Sequence, residues 1–283
     1  MKLEEAMKVV EHGMAALNKA LQAGHSETLK EFLATMARFH NYSFGNAMLI
    51  GTQKPEATHV AGFHTWKKLG RSVKKGEHGI AILAPMASRK DRERTESDCR
   101  DDDTSRIFGF KVAYVFDVTQ TEGEPLPEFA NTTGDPGDWL VHLEESIREA
   151  GVILEYDHIP GGAKGVSVKG KITVRPDMPA NETFAVLAHE LAHELMHKEY
   201  ERRSETTPQI RETEAEAVAY TVCLACGMDS TTRSADYIQL YRGNEETLRE
   251  SLTFVRETAA RIITTLRSKH EQPASMPAVT LSA

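Results

Sequence analysis

Cysteine is scarce in this chain. Cys99, Cys223 and Cys226 cannot build a disulfide framework, because three thiols always leave one over. So few thiols suit a reducing compartment, and the cytoplasm is the simplest one. Long apolar runs are missing as well, so no segment reads as a membrane span and no membrane partner is expected. Positive charge is in deficit. With 34 Lys and Arg against 42 Asp and Glu, the net charge is −8. That argues against a general polyanion binder, though not against a local basic patch. A secretory leader is not legible either, since Met1 to Leu21 mixes charged and apolar residues at helical spacing. What is present is 40% hydrophobic residues in 283, enough for real cores and more in keeping with two medium domains than one.

Residues 3 to 38 read as helices. Leu3, Ala6, Met7, Val10, Met14, Leu17 and Leu21 recur at intervals of three and four. After Gly24, Ser26 is placed to cap a second helix carrying Leu29, Phe32, Leu33, Met36 and Phe39. Asn41-Tyr42-Ser43-Phe44-Gly45-Asn46 follows, and its plain reading is a helix start capped by Ser43 or Asn41. Five of the nine residues from Lys67 to Lys75 are basic: Lys67, Lys68, Arg71, Lys74 and Lys75. A charge run alone is usually a solvated face. Beside His64 and Trp66 it also suits single-stranded nucleic acid, whose bases stack on rings and whose phosphates attract cations. Ile80 to Leu83 reads as a strand. Residues 87 to 106 have no apolar periodicity and are expected to form a solvated, disordered loop containing Cys99. Phe108 to Val118 alternates and should pair with the strand before the loop. Thr119 to Gly137, rich in Pro and Gly, reads as a linker between domains.

Several of these pieces occur together and in order. They are Asn41 to Asn46, Gly62-Phe63-His64-Thr65-Trp66-Lys67-Lys68-Leu69-Gly70-Arg71, Val73-Lys74-Lys75-Gly76-Glu77 and Phe116-Asp117-Val118. From about residue 5 to 120 the chain resembles the N-terminal domain of the ArdC antirestriction family. The resemblance implies single-stranded DNA as a partner. The candidate contacts are Asn41, Tyr42, Ser43, Asn46, His64, Trp66, Lys67, Lys68, Arg71, Lys74 and Lys75.

The second half carries a different chemistry. Trp139 to Ala150 is an amphipathic helix, and Val152 to Tyr156 a strand. Gly161-Gly162 turns the chain. Val166 to Val168 and Ile172 to Val174 form a hairpin about Lys169-Gly170-Lys171. Asn181 can cap the helix that follows, with Phe184, Leu187, Leu191 and Leu195 directed inward. On it lies His189-Glu190-Leu191-Ala192-His193, an HExxH box. Residues four apart share a helix face, so His189 and His193 can point at one metal ion, with Glu190 beside them as general base. Thr207 and Pro208 start another helix, which stops at Gly227. Its glutamates supply the missing ligand. Glu212 is the expected third ligand, Glu216 steadies a histidine from behind, and Glu214 is the runner-up. His197 reads as a core or supporting residue, and with Tyr220 it is a weak candidate to stabilise an oxyanion. Cys223-x-x-Cys226 reads as small core residues. Thr231 to Leu266 continues as helix with a break near Gly243-Asn244, and 268–283 reads as a mobile tail.

This half resembles zinc metallopeptidase-like domains of the ImmA/IrrE type. In that group the third ligand opens a Glu-x-x-x-Asn-like pattern, to which Glu212 to Glu216 corresponds with Glu216 in the place of asparagine. The expected fold is α+β in two domains. The first is a single-stranded-DNA-binding domain over 1–124. The second is a zincin-like metalloprotease domain over 135–267, with a small sheet and the HExxH helix. The expected cofactor is one zinc ion held by two histidines, a glutamate and water. The expected reaction is hydrolysis of a peptide or protein substrate, with Glu190 taking the proton of the attacking water and strand Ile172 to Val174 pairing with the extended substrate. The alternative is a DNA-binding antirestriction protein whose metal site is structural or vestigial.

Overall fold

The computed structural model describes residues 1–23, 27–68, 70–87, 107–123, 134–159, 163–198, 206–228 and 245–271. The Ser26 cap, the loop after residue 87, the Gly161-Gly162 turn, the break near Gly243 and the end of the tail lie outside them. The chain forms two compact units. One takes Met1–Ala16 and Tyr42–Pro127, the other Leu17–Asn41 and Glu128–Ala283. The stretch Leu17–Asn41, placed by sequence within 1–124, thus packs with the later residues. No helix among the described residues is long and apolar enough to cross a membrane.

The first unit takes in the start of α1 (Leu3–Gln22), which crosses from one unit to the other. It continues with α3 (Phe44–Gln53), β1 (Val60–Gly62), α4 (Phe63–Lys68), β2 (Arg71–Val73), β3 (Ile80–Ala87), β4 (Ile107–Asp117) and β5 (Thr121–Gly123). β1, β4 and β3 make an antiparallel sheet in that order, and β2 pairs with β5. Part of the expected linker, Thr121–Gly123, is therefore strand. The outer edge of β3 is closed by side chains of α3. Asn46 donates to the Leu83 carbonyl at 2.9 Å and accepts from the Leu83 amide at 2.7 Å. Gln53 does the same for Ala81 at 2.9 and 3.0 Å. These amides satisfy backbone groups that an edge strand would otherwise expose.

Several expected DNA contacts are corrected by this packing. Trp66 is only 2% exposed, and its indole N–H donates to the Phe116 carbonyl at 2.8 Å. It is a core residue, and no base can stack on it. Asn46 is 7% exposed with both amide atoms bonded to β3, so its amide is turned to the scaffold and away from a phosphate or base. Ser43 caps α3, accepting from the Asn46 amide, and Tyr42 donates its phenol to the Val60 carbonyl. Asp117, fully buried, accepts from the amides of Thr58, His59 and Thr119. Burial works against its charge, but these bonds win and hold its carboxyl below the usual range. Trp66→Ala is expected to destabilise this unit by about 3–5 kcal/mol, measured as a loss of melting temperature by circular dichroism. Any loss of DNA binding in that variant would report unfolding.

The second unit begins with the end of α1 and α2 (Glu27–Arg38). It continues through α5 (Asp138–Glu149), β6 (Ile153–Tyr156), β7 (Gly165–Val168), β8 (Lys171–Val174), α6 (Ala180–Met196), α7 (Pro208–Ala225) and α8 (Glu245–His270). The strand order is β6-β8-β7, with β6 parallel and β7 antiparallel to β8. The β7–β8 turn is Lys169-Gly170, both at positive φ (51° and 82°), the signature of a two-residue hairpin turn. Ile172 and Val174 on β8 are fully buried, and α6 packs against both β7 and β8. α6 starts two residues earlier than expected. Pro179 stands at its N-cap, and Asn181 bonds only the next amide, Glu182, at 2.9 Å. α7 packs along α6, with α2 and α8 against it. α8 turns its stripe of Leu248, Leu252, Val255, Ala259, Ile262 and Leu266 inward, all at most 3% exposed.

Candidate metal centre

Two helices build the site. α6 presents His189 and His193 one turn apart, with ring centroids 4.8 Å apart. α7 begins at Thr207, whose hydroxyl accepts from the Ile210 amide, with Pro208 in its first turn. That start places Glu212 opposite the two rings. The three donors converge: His189 Nε2 lies 3.1 Å from His193 Nε2, and Glu212 oxygens lie 3.4 Å from each. Three donors around a tetrahedral ion at roughly 2.0–2.2 Å stand about 3.3–3.5 Å from one another. Imidazole, imidazole and carboxylate at this spacing fit one divalent cation.

The charges are arranged for the same purpose. Burial disfavours a charged His189. The bonds to Glu212 and Glu216 and the nearby charge of Glu190 outweigh it and push its pKa up to about 9. Glu212 is held well below the usual carboxylate range by His189, first of all, and by His193 close beside it. In the metal-free protein a proton on His189 thus stands where the cation would. Glu190 is 8% exposed, and burial pushes its carboxyl up against the pull of the two histidines. A raised carboxyl beside a metal site is the condition a general base needs.

Behind the rings, Glu216 Oε2 lies 3.3 Å from His189 Nδ1. His197 lies against His193, Nδ1 to Nδ1 at 3.0 Å. Glu214 does not approach the three donors. It is fully buried and holds His197 Nε2 at 2.8 Å, so the runner-up ligand has a different task. Cys223 and Cys226 are 2% and 5% exposed, and burial pushes both thiols up to about 12, in keeping with core residues.

A cleft of about 780 Å³ opens over the site, walled by Gly165 to Lys169 and by Arg211 as well as by His189, Glu190, His193 and Glu212. Tyr220 is not among the residues lining it. Strand β8, expected to receive a substrate, is central, with a neighbour on each side. The edge strand along the cleft is β7. It is clamped to α6 by Glu194, whose Oε1 accepts from Ser167 Oγ at 2.6 Å and the Gly170 amide at 3.2 Å. Sequence reading missed Gly165, Ser167, Glu194 and Arg211. The adjacency of Glu194 to His193 was the only signal available for any of them. A Cβ at Gly165 would meet Val186 at 2.5 Å and Glu190 Oε1 at 2.8 Å. Gly165→Ala is therefore expected to displace Glu190. Displacement by about 1 Å costs on the order of 10²-fold in rate. Metal content by elemental analysis should stay the same while turnover falls.

In the first unit, His64, Lys67, Lys68 and Lys75 are exposed, as is Asn41 in the second. Arg71 is turned inward to β5, donating to Thr121 Oγ1 at 2.8 Å, and Lys74 donates to the Thr119 carbonyl at 2.8 Å. The exposed rings are Phe63, Phe110 and Tyr114, at 53%, 50% and 49%. Phe110 and Tyr114 stand four apart on β4, on one face of the sheet. The period-2 alternation of β4 could have drawn attention to them.

Residues 4–116 match the model of the N-terminal domain of anti-restriction factor ArdC. This chain carries an ArdC N-terminal domain. Its fold is also similar to the metal-free crystal structure of the antirestriction ArdC protein from plasmid R388, with a TM-score of 0.52 and 17% identity over 92% of this chain and 98% of that one. The Mn(II)-bound structure of the same R388 protein aligns with a TM-score of 0.49 and 19% identity, over 93% of this chain and 98% of that one. Among curated proteins, the uncharacterized protein pXO2-81 of Bacillus anthracis is 27% identical over 94% of this chain. The chain spans about half of that relative's length, 52%.

Proposed function

We propose that this chain is an antirestriction-type protein that binds single-stranded DNA and hydrolyses peptide bonds at a divalent cation, zinc by preference. The observation that carries the reading is the convergence of His189, His193 and Glu212 beneath a cleft bordered by a strand edge, with Glu190 buried beside them. The unit that holds them would be zincin-like.

His189, His193 and Glu212 would hold the cation. It would supply Lewis-acid polarisation of a carbonyl and a water of lowered pKa. The chain's own residues do the rest. The outer edge of β7, unpaired among the described residues, aligns an extended peptide by main-chain hydrogen bonds. Glu190 accepts the proton of the attacking water and passes it to the leaving amine. Gly165 leaves space for that carboxylate, and Glu194 keeps β7 at its height over α6. Glu216 fixes the ring of His189.

The DNA-binding surface uses exposed groups. Phe63, Phe110 and Tyr114 offer faces for bases, and Lys67, Lys68 and Lys75 meet phosphates. Phe110→Ala with Tyr114→Ala is expected to weaken single-strand binding by roughly 1–3 kcal/mol per stacked base. Replacing Lys67 and Lys68 by Ala should flatten the salt dependence by about 0.7 for each phosphate no longer neutralised. Fluorescence anisotropy with a labelled oligonucleotide at several salt concentrations measures both. The deciding experiment is a proteolysis assay of the full chain, with and without zinc and with and without single-stranded DNA. Zinc-dependent cleavage is the expected result. DNA binding without any cleavage of a broad peptide library would defeat the hydrolytic part.

A further inference from the structure

The structure assigns His197 and Glu214 as positioning residues that set the tautomer of His193. This rests on reading His189, His193 and Glu212 as a divalent-cation site. Four groups stand in a row: Glu214 Oε2, His197, His193 and the Nε2 face shared with His189 and Glu212. The contacts are 2.8 Å from Glu214 to His197 Nε2 and 3.0 Å from His197 Nδ1 to His193 Nδ1. His193 Nε2 then lies 3.4 Å from Glu212 Oε1. The two supporting groups are deep in the unit, with His197 5% exposed and Glu214 fully buried.

Proton counting gives the row a direction. A carboxylate only accepts, so Glu214 requires His197 to donate from Nε2. With a single proton on its ring, His197 then has its lone pair on Nδ1. Only one proton fits between two ring nitrogens 3.0 Å apart, and it must belong to His193 Nδ1. That leaves the lone pair of His193 on Nε2, the nitrogen that faces the other donors. With the row reversed, His193 Nε2 would carry the proton and could not ligate. Glu214 thus decides, from two residues away, which nitrogen of His193 is available. The three glutamates of α7 divide the work: Glu212 enters the donor set, Glu216 lies behind His189, and Glu214 lies behind His193 through an interposed ring.

His197 is well placed for this because α6 has ended. It is the C-cap, at φ −116° and ψ 10°, with its amide still bonded to the His193 carbonyl at 2.9 Å. Its ring therefore stays one turn below His193, with centroids 5.1 Å apart.

The test uses the full chain, ¹⁵N-labelled, with Glu214→Gln and His197→Phe. The first keeps the shape of the carboxylate, and the second keeps a ring. Two readouts are taken: the ¹⁵N spectrum of the histidine rings in metal-free protein, and zinc affinity by competition with a chromophoric chelator. In the parent, His193 should show a protonated Nδ1 and a bare Nε2. Both variants should lose that single pattern and bind zinc roughly 10–100-fold more weakly, while circular dichroism stays that of the parent. If folded variants retain the parent's tautomer and zinc affinity, the assignment is overturned. The spectrum of metal-free protein separates this from the fate of the cation reading. A parent that binds no divalent ion yet shows the tautomer and loses it in Glu214→Gln would refute the cation site and leave the positioning intact.

Discussion

Glu190→Gln is expected to lower peptide hydrolysis by roughly 10²–10⁴-fold while leaving metal content unchanged. The size of the effect follows from the proton. Glutamine has the volume and hydrogen-bonding reach of glutamate but cannot take a proton from water. The carboxylate is not one of the three converging donors, so its loss removes no ligand. Its environment magnifies the consequence. The group is 8% exposed, and burial raises its pKa toward the range where one residue can both accept and release a proton. The measurement is kcat on a peptide substrate beside zinc stoichiometry by elemental analysis. Equal kcat in parent and variant would remove Glu190 from the chemistry. Loss of zinc with the activity would mean that it is a ligand.

Glu212→Ala should lose metal outright, by more than the roughly 10–100-fold that removal of an outer partner costs. Glu212 alone brings a carboxylate from α7 to within 3.4 Å of both histidines. Without it two imidazoles remain, and His189 loses one of the groups that hold its proton. The pH dependence of the parent follows the same competition. In metal-free protein His189 titrates at about 9, so at neutral pH it is protonated and the incoming cation must expel that proton. Affinity should therefore rise about tenfold per pH unit up to that value. Calorimetry in buffers of different ionisation enthalpy counts the proton released. The metal-free fold depends on pH in the opposite sense. Because the folded pKa of His189 is raised above 6.5, its contribution to stability is full below that value and is lost as pH rises through about 9.

The two ends of the chain were unequally legible. HExxH carries its own geometry, since the helical period alone puts His189 and His193 on one face. Glu212 and Glu216 follow from the same period on the next helix. Glu214 could not be read that way. Its partner is a histidine 17 residues earlier, on the other helix, and no local pattern joins them. The order of strands was hidden for a similar reason. β7 and β8 both alternate apolar and polar residues, and only pairing in three dimensions makes β8 central. Trp66 shows the reverse error. A ring among lysines suits stacking, but its hydrogen-bond partner lies 50 residues away, at Phe116. Asn46, Trp66 and Asp117 belong to the segments by which the ArdC resemblance is recognised. All three are buried and bonded to backbone. In this unit the recognisable residues hold the scaffold, and the groups proposed to meet DNA are plainer ones around them.

The amides that Asn46 and Gln53 lay along β3 govern where a foreign strand can dock. Ala81 and Leu83 already have donor and acceptor partners on the outer side, so an incoming chain would find nothing there to bond. Hydrogen exchange at those two amides should be as slow as in an interior strand. β7 has no such cover among the described residues. One edge is sealed against self-association, and the other remains available as a template for a guest.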